Sequence, residues 1–589
     1  MKDTAASGLV FKHRESPYDD FQQQPLLPNK LSQLGPGIAW GDVNNDGLAD
    51  CYMGNGGGFV PALFIQNEDQ TFSIGKKFSE SRPNEDMGAL FFDIDADDDL
   101  DLYVASGGYE REIDSEYLRD RLYLNDGQGN FELAPSDLLP DSLQSSSSVS
   151  AVDFDRDGDL DLFVGTRLTP RQWPMPATSR LLENRDGKLV DATATIAPQL
   201  ENVGLVTGSI WSDVDQDGWT DLLLSVEWGP VKLFRNESGK LVDATESAGL
   251  STQVGWWNSI SGGDIDNDGD IDFVAMNFGL NTKYHGDDKH PVVLFANDFD
   301  ENGTLDLVEA EYENDVCYPV RGRSCSSHAM PFLKEKFPTY HEFALADIND
   351  IYSDESLEKS TRFSANQLQS MVLINDGKGN FTHTALPRIA QVAPGFGTVL
   401  QDMNGDGNID LCIAQNFLQP QPETGQMDGG MGMVLSGNGD GTFRLMPPNK
   451  SGIAVEGQGM ALGVVDLNND AKPDLVMTLN DTESKVWTNQ LGSDRQFWKL
   501  DLQYVAGNRS AVGSRVVARY ASGKTRTHQV VAGSGYPSQS TTSIFLSNHI
   551  NDPIEELEIN WPDGTSQTEK VESGSNLVVE QKAIAQAAK

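Results

Sequence analysis

The stretch DFDRDGDLDLF, Asp153 to Phe163, puts five aspartates and a glycine within nine residues and then turns apolar. Five carboxylates in one tight loop repel each other by several kcal/mol in total at intermediate dielectric, so the loop either splays in water or holds a cation. The spacing favours the cation. Asp153, Asp155 and Asp157 stand at positions 1, 3 and 5, Gly158 permits a sharp turn at position 6, and Asp161 at position 9 closes the set. This is the first part of an EF-hand loop, whose oxygen ligands suit a hard ion such as calcium. The closing glutamate at position 12 is absent and a strand-like run follows, so the spacing reads as a calcium loop in a β context.

The pattern recurs seven more times. The expected ligands are Asp42, Asn44, Asp46 and Asp50 in the first loop and Asp93, Asp95, Asp97 and Asp101 in the second. After the quoted stretch come Asp213, Asp215, Asp217 and Asp221, then Asp264, Asp266, Asp268 and Asp272, then Asp298, Asp300, Asn302 and Asp306. Asp402, Asn404, Asp406 and Asp410 form the seventh set, and Asp466, Asn468, Asp470 and Asp474 the last. Two loops depart at position 6, where Asp98 and Ala471 replace glycine. Aspartate tolerates the left-handed turn better than alanine, which makes the eighth loop the weakest candidate.

At 589 residues the chain exceeds what one hydrophobic core supports, and its formal charge of −46 is strongly self-repelling. Eight divalent ions would offset about 16 units of it. Nucleic acid and anionic membrane are poor partners for such a chain. No apolar run approaches the ~18 to 20 residues of a membrane span, and the N-terminus has no apolar signal core. An extracellular or periplasmic location is expected on the assumption of a removed leader. Of the four cysteines, Cys51 and Cys412 sit in apolar strands and read as core thiols, whereas Cys317 and Cys325 are spaced to allow one bridge.

Seven of the loops share a context: a leading segment of small residues such as GIAWGD or SVSAVD, an apolar strand after the loop, and a hairpin such as RLYLNDGQGNFEL. Four strands per unit of roughly 50 to 60 residues read as propeller blades. The loop at Asp298 instead resembles a hairpin turn. The expected fold is therefore all-β: a seven-bladed β-propeller over 37–490, or an eight-bladed one if the interval 316–366 holds a blade of its own. An extended segment, 1–36, precedes it. The interval 316–366 reads as an insertion rich in helix formers. A small β domain over 491–582 and a tail, 583–589, complete the chain.

With these residues in hand, the chain resembles the FG-GAP or VCBS-repeat proteins that carry a C-terminal ASPIC/UnbV domain, the cartilage acidic protein-like group with bacterial members. GNRSAVGSRV, VAGSGYPSQ and INWPDGT are similar to that domain's segments, and the acidic loops to those of integrin α-subunit propellers. The resemblance implies a calcium-bearing propeller outside the cytoplasm, without implying a general activity.

No HExxH, nucleophile elbow or Walker loop occurs. His285 and His290 read as a solvated loop, and Trp256 and Trp257 as packing. The insertion gathers Tyr318, Arg321, Arg323, His328, Tyr340 and His341. Of these, Arg321, Arg323, His328, Tyr340 and His341 are the candidate ligand-binding residues. Two readings stand: a calcium-stabilised binding or adhesion-type scaffold for a protein or glycan partner, and a lyase-like propeller enzyme acting on an acidic polysaccharide through these same side chains.

Overall fold

The computed structural model describes residues 1–3, 8–492, 495–505, 507–571 and 576–582. The expected tail, 583–589, lies outside the described residues. Strands dominate, and seven sheets stand in a ring. Their innermost strands are Ile38–Gly41, Glu85–Phe92, Ser145–Val152, Leu205–Ser212, Ser259–Gly263, Gly395–Gln401 and Gly459–Val465; each packs against the next and the last against the first. Within a sheet the strands follow one another outward in antiparallel order. Glycine, alanine and serine recur in the inner strands where seven backbones crowd one axis: a Cβ on Gly397 would lie 2.5 Å from the Met460 carbonyl oxygen.

The seventh sheet takes its outermost strand from the other end of the chain. Lys2–Asp3 pairs antiparallel with Lys485–Thr488, so the ring is closed by N- and C-terminal strands in one sheet. Each gap between neighbouring sheets has its own apolar core, such as Ala39, Tyr52, Phe78, Phe91 and Tyr123 between the first and second. The first and seventh sheets meet through Ile38, Trp40, Val465 and Val486.

The fifth sheet is interrupted. Its second strand, Asp272–Met276, pairs with Met371–Asn375 almost a hundred residues later. The excursion thus starts well before Val316. It carries its own four-stranded sheet, in the order Val316–Pro319, Asp306–Glu313, Val292–Asn297, Thr361–Ala365, followed in space by five short helices between Arg323 and Lys359. The Asp298 loop is the turn of this extra sheet.

The C-terminal domain is built of two small sheets. Arg495–Gln503 lies between Ile544–His549 and Asn576–Glu580 in one, and Arg515–Tyr520 lies between Thr525–Gln529 and Ile554–Asn560 in the other. It is not a free appendage: Ser538–Gln539 pairs in parallel with the innermost strand of the first sheet. On the opposite face the N-terminal segment crosses the ring. Asp20 there accepts from Leu31 N, Ser32 N and Ser32 Oγ at 2.6 to 2.9 Å, and Gln24 donates to the Trp173 carbonyl at 2.9 Å.

The four cysteines are free thiols. The bridge between Cys317 and Cys325 is not formed. Cys317 lies on a strand opposite Tyr312, while Cys325 lies on the helix Arg323–Ala329 and its thiol donates to Glu423 Oε2 at 2.7 Å.

Candidate metal centres

Each acidic loop of the ring joins the first strand of a sheet to the second, so these loops emerge on one face. A repeated hydrogen-bond scheme shapes them. The position-9 aspartate receives the backbone N–H of position 2 on one oxygen: Asp50 from Val43, Asp101 from Ile94, Asp161 from Phe154 and Asp221 from Val214, at 3.1 to 3.2 Å. The position-1 aspartate receives the N–H groups of positions 5 and 6, as Asp213 does from Asp217 and Gly218. Both oxygens of these carboxylates are thereby fixed in place, and each keeps a second lone pair that a cation can use. The turn needs a left-handed residue at position 6, and Asp98 and Ala471 both adopt it, with φ of 71° and 61°.

Five loops gather three carboxylate oxygens within 4.8 Å: Asp93, Asp95 and Asp101; Asp153, Asp155 and Asp161; Asp213, Asp215 and Asp221; Asp264, Asp266 and Asp268; Asp298, Asp300 and Asp306. These clusters could hold metal ions. The donor set is oxygen only, which fits a hard divalent cation and not a thiophilic one. Buried oxygens Asp99 Oδ1, Asp159 Oδ1, Asp270 Oδ1 and Asp300 Oδ1 have no hydrogen-bond partner in the protein, which also fits a cation nearby. Burial pushes Asp101, Asp221 and Asp474 up to about 8, and Asp50, Asp153, Asp272 and Asp306 up to about 7.

The loops at Asp42, Asp402 and Asp466 have asparagine at position 3 and so fewer carboxylates. In the last, Lys472 Nζ pairs with Asp470 Oδ2 at 2.8 Å and supplies a positive charge of its own. In the fourth loop Arg235 pairs with Asp215.

A second set of residues was not singled out in the sequence. The asparagine ending the third strand of a sheet donates its side-chain N–H to the position-2 carbonyl of the preceding loop. Asn125 reaches Val43, Asn184 reaches Ile94, Asn236 reaches Phe154, Asn375 reaches Val214 and Asn489 reaches Met403, at 2.7 to 2.9 Å. Gln66 does the same to Leu467 and joins the first sheet to the seventh. The signal was present in LYLN, LLEN, LFRN, VLIN and VWTN.

The C-terminal domain docks on the loop face and touches three position-1 aspartates. Gly507 N donates to Asp93 at 3.3 Å, Thr527 N to Asp264 at 3.0 Å, and Ser547 Oγ to Asp402. Arg509 pairs with Asp98 at 2.8 Å, and Arg515 and Arg526 donate to the carbonyls of Gly269 and Gly407.

Of the candidate ligand-binding side chains of the excursion, Arg321 is turned inside and the others lie at or near the surface. Arg321 is buried, paired with Glu309 at 2.9 Å and donating to Gln421 and Thr424. Arg323 lies over the Tyr340 ring at 5.1 Å and donates to the Phe337 carbonyl, while His328 and His341 are exposed. Trp256 packs inside, stacked on Phe278 at 4.3 Å. His290 lies 2.7 Å from Asp315.

The FG-GAP-like repeat family matches residues 33–104, 112–164 and 213–275, and the ASPIC and UnbV family matches residues 504–586. No curated protein sequence matches the chain. Among solved structures, the Vibrio cholerae biofilm matrix protein Bap1 is similar at 11% identity and TM-score 0.33, over 82% of this chain and 91% of that one. YCF48 bound to D1 peptide is similar at 9% identity and TM-score 0.36, over 81% and 100%. The Bacillus licheniformis rhamnogalacturonan lyase PL11 is similar at 11% identity and TM-score 0.34, over 81% and 76%. Among the described residues no helix is long and apolar enough to cross a membrane.

Proposed function

Because this chain carries FG-GAP-like repeats followed by an ASPIC and UnbV domain, we propose that it is a calcium-stabilised binding scaffold of adhesion type. It works outside the cytoplasm, in the periplasm or beyond the cell, and recognises a protein or glycan partner. The observation that carries this reading is the set of five oxygen-only aspartate clusters, four of them in loops of the ring. At a site affinity of about 10⁻⁴ M and free calcium of about 10⁻³ M, each ion adds ~1.4 kcal/mol to folding. Six or seven such sites would contribute about 8 to 10 kcal/mol, comparable to the whole stability of a typical domain. The ions would also offset part of the formal charge of −46.

The alternative, a polysaccharide lyase-like enzyme, needs His, Tyr and Arg side chains of the excursion to converge on a substrate. Arg321 is instead committed to Glu309, so the binding scaffold is the reading we retain. Glycan-array and anionic-polysaccharide binding, with ultraviolet absorbance followed for unsaturated products, tests both. Binding without new absorbance supports the scaffold. Turnover would replace it with the enzyme.

A further inference from the structure

Where the C-terminal domain meets the third and fourth sheets, a cleft of about 350 Å³ remains. That lies within the size range of small-ligand sites. Its walls hold Arg156, Trp211, Trp219, Arg515, Gln529 and Trp561. Three buried polar side-chain atoms among its lining residues have no partner: Trp211 Nε1, Trp561 Nε1 and Gln529 Nε2. All three are N–H donors. Trp211 and Trp561 are only 4% and 3% exposed, so water from bulk does not freely satisfy them. The Gln529 amide is oriented by Ser212 Oγ, which donates to its Oε1 at 2.8 Å, while its Nε2 faces Gly262 of the fifth sheet rather than the cleft.

Both arginines are positioned by contacts that use only part of their donor capacity. Arg156 lies over the Trp219 ring at 4.0 Å and donates to the Gly218 carbonyl, and Arg515 donates to the Gly269 carbonyl at 2.6 Å. A guanidinium has five N–H donors, so donors remain on each. Three carboxylates also line it: Asp153 and Asp213 belong to the third and fourth acidic loops, where bound cations would offset their charge, and Glu558 pairs with Arg519. Trp561 is held flat against Tyr504, with centroids 5.8 Å apart at 15°. The cleft thus offers a surplus of donors, two cations and indole rings in an otherwise acidic protein.

We propose that this cleft binds the carboxylate-bearing ring of an acidic sugar, of uronic-acid type. The arginines would take the carboxylate, the indole N–H groups the ring hydroxyls, and the tryptophan rings the C–H face. This inference rests on the binding-scaffold reading and assigns its ligand and site.

The test is calorimetric and ligand-observed NMR titration of the calcium-loaded full chain with glucuronate, using glucose and acetate as controls. Glucuronate should bind in about the millimolar range, and about tenfold or more tighter than either control. Arg156→Gln should weaken it about tenfold, as expected for loss of a charge-assisted hydrogen bond, and Trp561→Phe, which keeps a ring but removes the N–H, about threefold. Unchanged calcium content and melting in the variants show that the fold is kept; if Arg156→Gln does not fold, Trp561→Phe carries the test. No binding by the unaltered protein, equal binding of glucose, or unchanged affinity in the variants overturns the site. If an acidic polymer still binds Arg156→Gln protein and glucuronate does not compete, the site is wrong and the scaffold reading survives. Loss of binding to every glycan and protein partner would instead remove the scaffold reading.

Discussion

The Tyr536 hydroxyl donates to the Leu34 carbonyl at 2.7 Å. A loop of the C-terminal domain therefore passes along the propeller axis and touches the segment that crosses the opposite face. The fit is close along its length. A Cβ on Gly533 would lie 2.4 Å from the Val149 carbonyl, Ala151 N donates to Ala532 O at 2.9 Å, and Gln539 exchanges hydrogen bonds with the Phe91 backbone. Tyr536→Phe should cost about 1 to 2 kcal/mol, since the Leu34 acceptor stays buried, and Tyr536→Ala about 3 to 5 kcal/mol. Urea unfolding measures both. A neutral Tyr536→Ala would show that the axis is not sealed by this side chain.

The link from Asn184 to the Ile94 carbonyl, at 2.9 Å and fully buried, ties the third sheet to the second loop. Asn184→Ala leaves that carbonyl unpaired and also removes the acceptor for Gly187 N. We expect a loss of about 1 to 3 kcal/mol with metal content unchanged, because the side chain is no ligand. Loss of an ion in this variant would mean that the linkage sets the loop's shape for metal.

Lys472 occupies the eighth loop through its pair with Asp470. Lys472→Gly removes the competing cation and supplies the glycine one position after the turn. Bound calcium per chain should rise by up to one ion, read by elemental analysis after dialysis against limiting calcium. An unchanged count would show that Asn468 and the left-handed Ala471, not the lysine, limit this loop.

On the face opposite the loops, the buried side chains of Glu15 and Glu85 and the partly exposed Glu110 lie near one another, and Glu85 and Glu15 are pushed well above the usual carboxylate range by burial and by mutual repulsion. Facing them are Arg111, whose Nε lies 2.8 Å from Glu110, the Asp86–Arg121 pair, Asp20, Asp481, Arg171 and His13. His13 accepts from Asp481 N at 3.1 Å, and burial lowers its pKa to about 3. A raised folded pKa gives stability that is complete below the unfolded carboxylate value and lost as pH rises through the folded one. His13 acts oppositely, its contribution being lost as pH falls from about 6.5 toward 3. Glu85→Gln should therefore raise the melting temperature at pH 8, by about 2 to 4 °C per kcal/mol relieved, and much less at pH 5. A fall at pH 8 would contradict this balance and point to a cation held by the three glutamates.

The repeated loops and the strands around them were legible because a nine-residue pattern recurs with its carboxylates, turn residue and flanking apolar strand intact. The FG-GAP-like and ASPIC and UnbV segments were legible for the same reason: their motifs are local. What was not legible is long-range. VAGSGYPSQ reads as an alternating strand, and only the ring itself shows that its glycines let a backbone pass along a crowded axis. Arg321 reads as a ligand candidate because it falls in a stretch that concentrates Arg, His and Tyr in an acidic chain, yet Glu309 on a neighbouring strand pairs with it. The excursion was placed from Val316 because VVLFAN and LVEAEYE continue the strand pattern; their pairing into a separate sheet is a matter of partners, which periodicity does not give. Cys317 and Cys325 lie close in sequence, but a strand and a helix carry them to different neighbours.

On the proposed reading, metal in the loops holds the ring. A calcium anomalous-difference map from crystals grown in calcium tests it most directly. About six or more peaks are expected, each enclosed by the first, third and ninth side chains of a loop, including those starting at Asp93, Asp153, Asp213 and Asp298. Two or fewer peaks in the loops, in a well-ordered propeller, would contradict it.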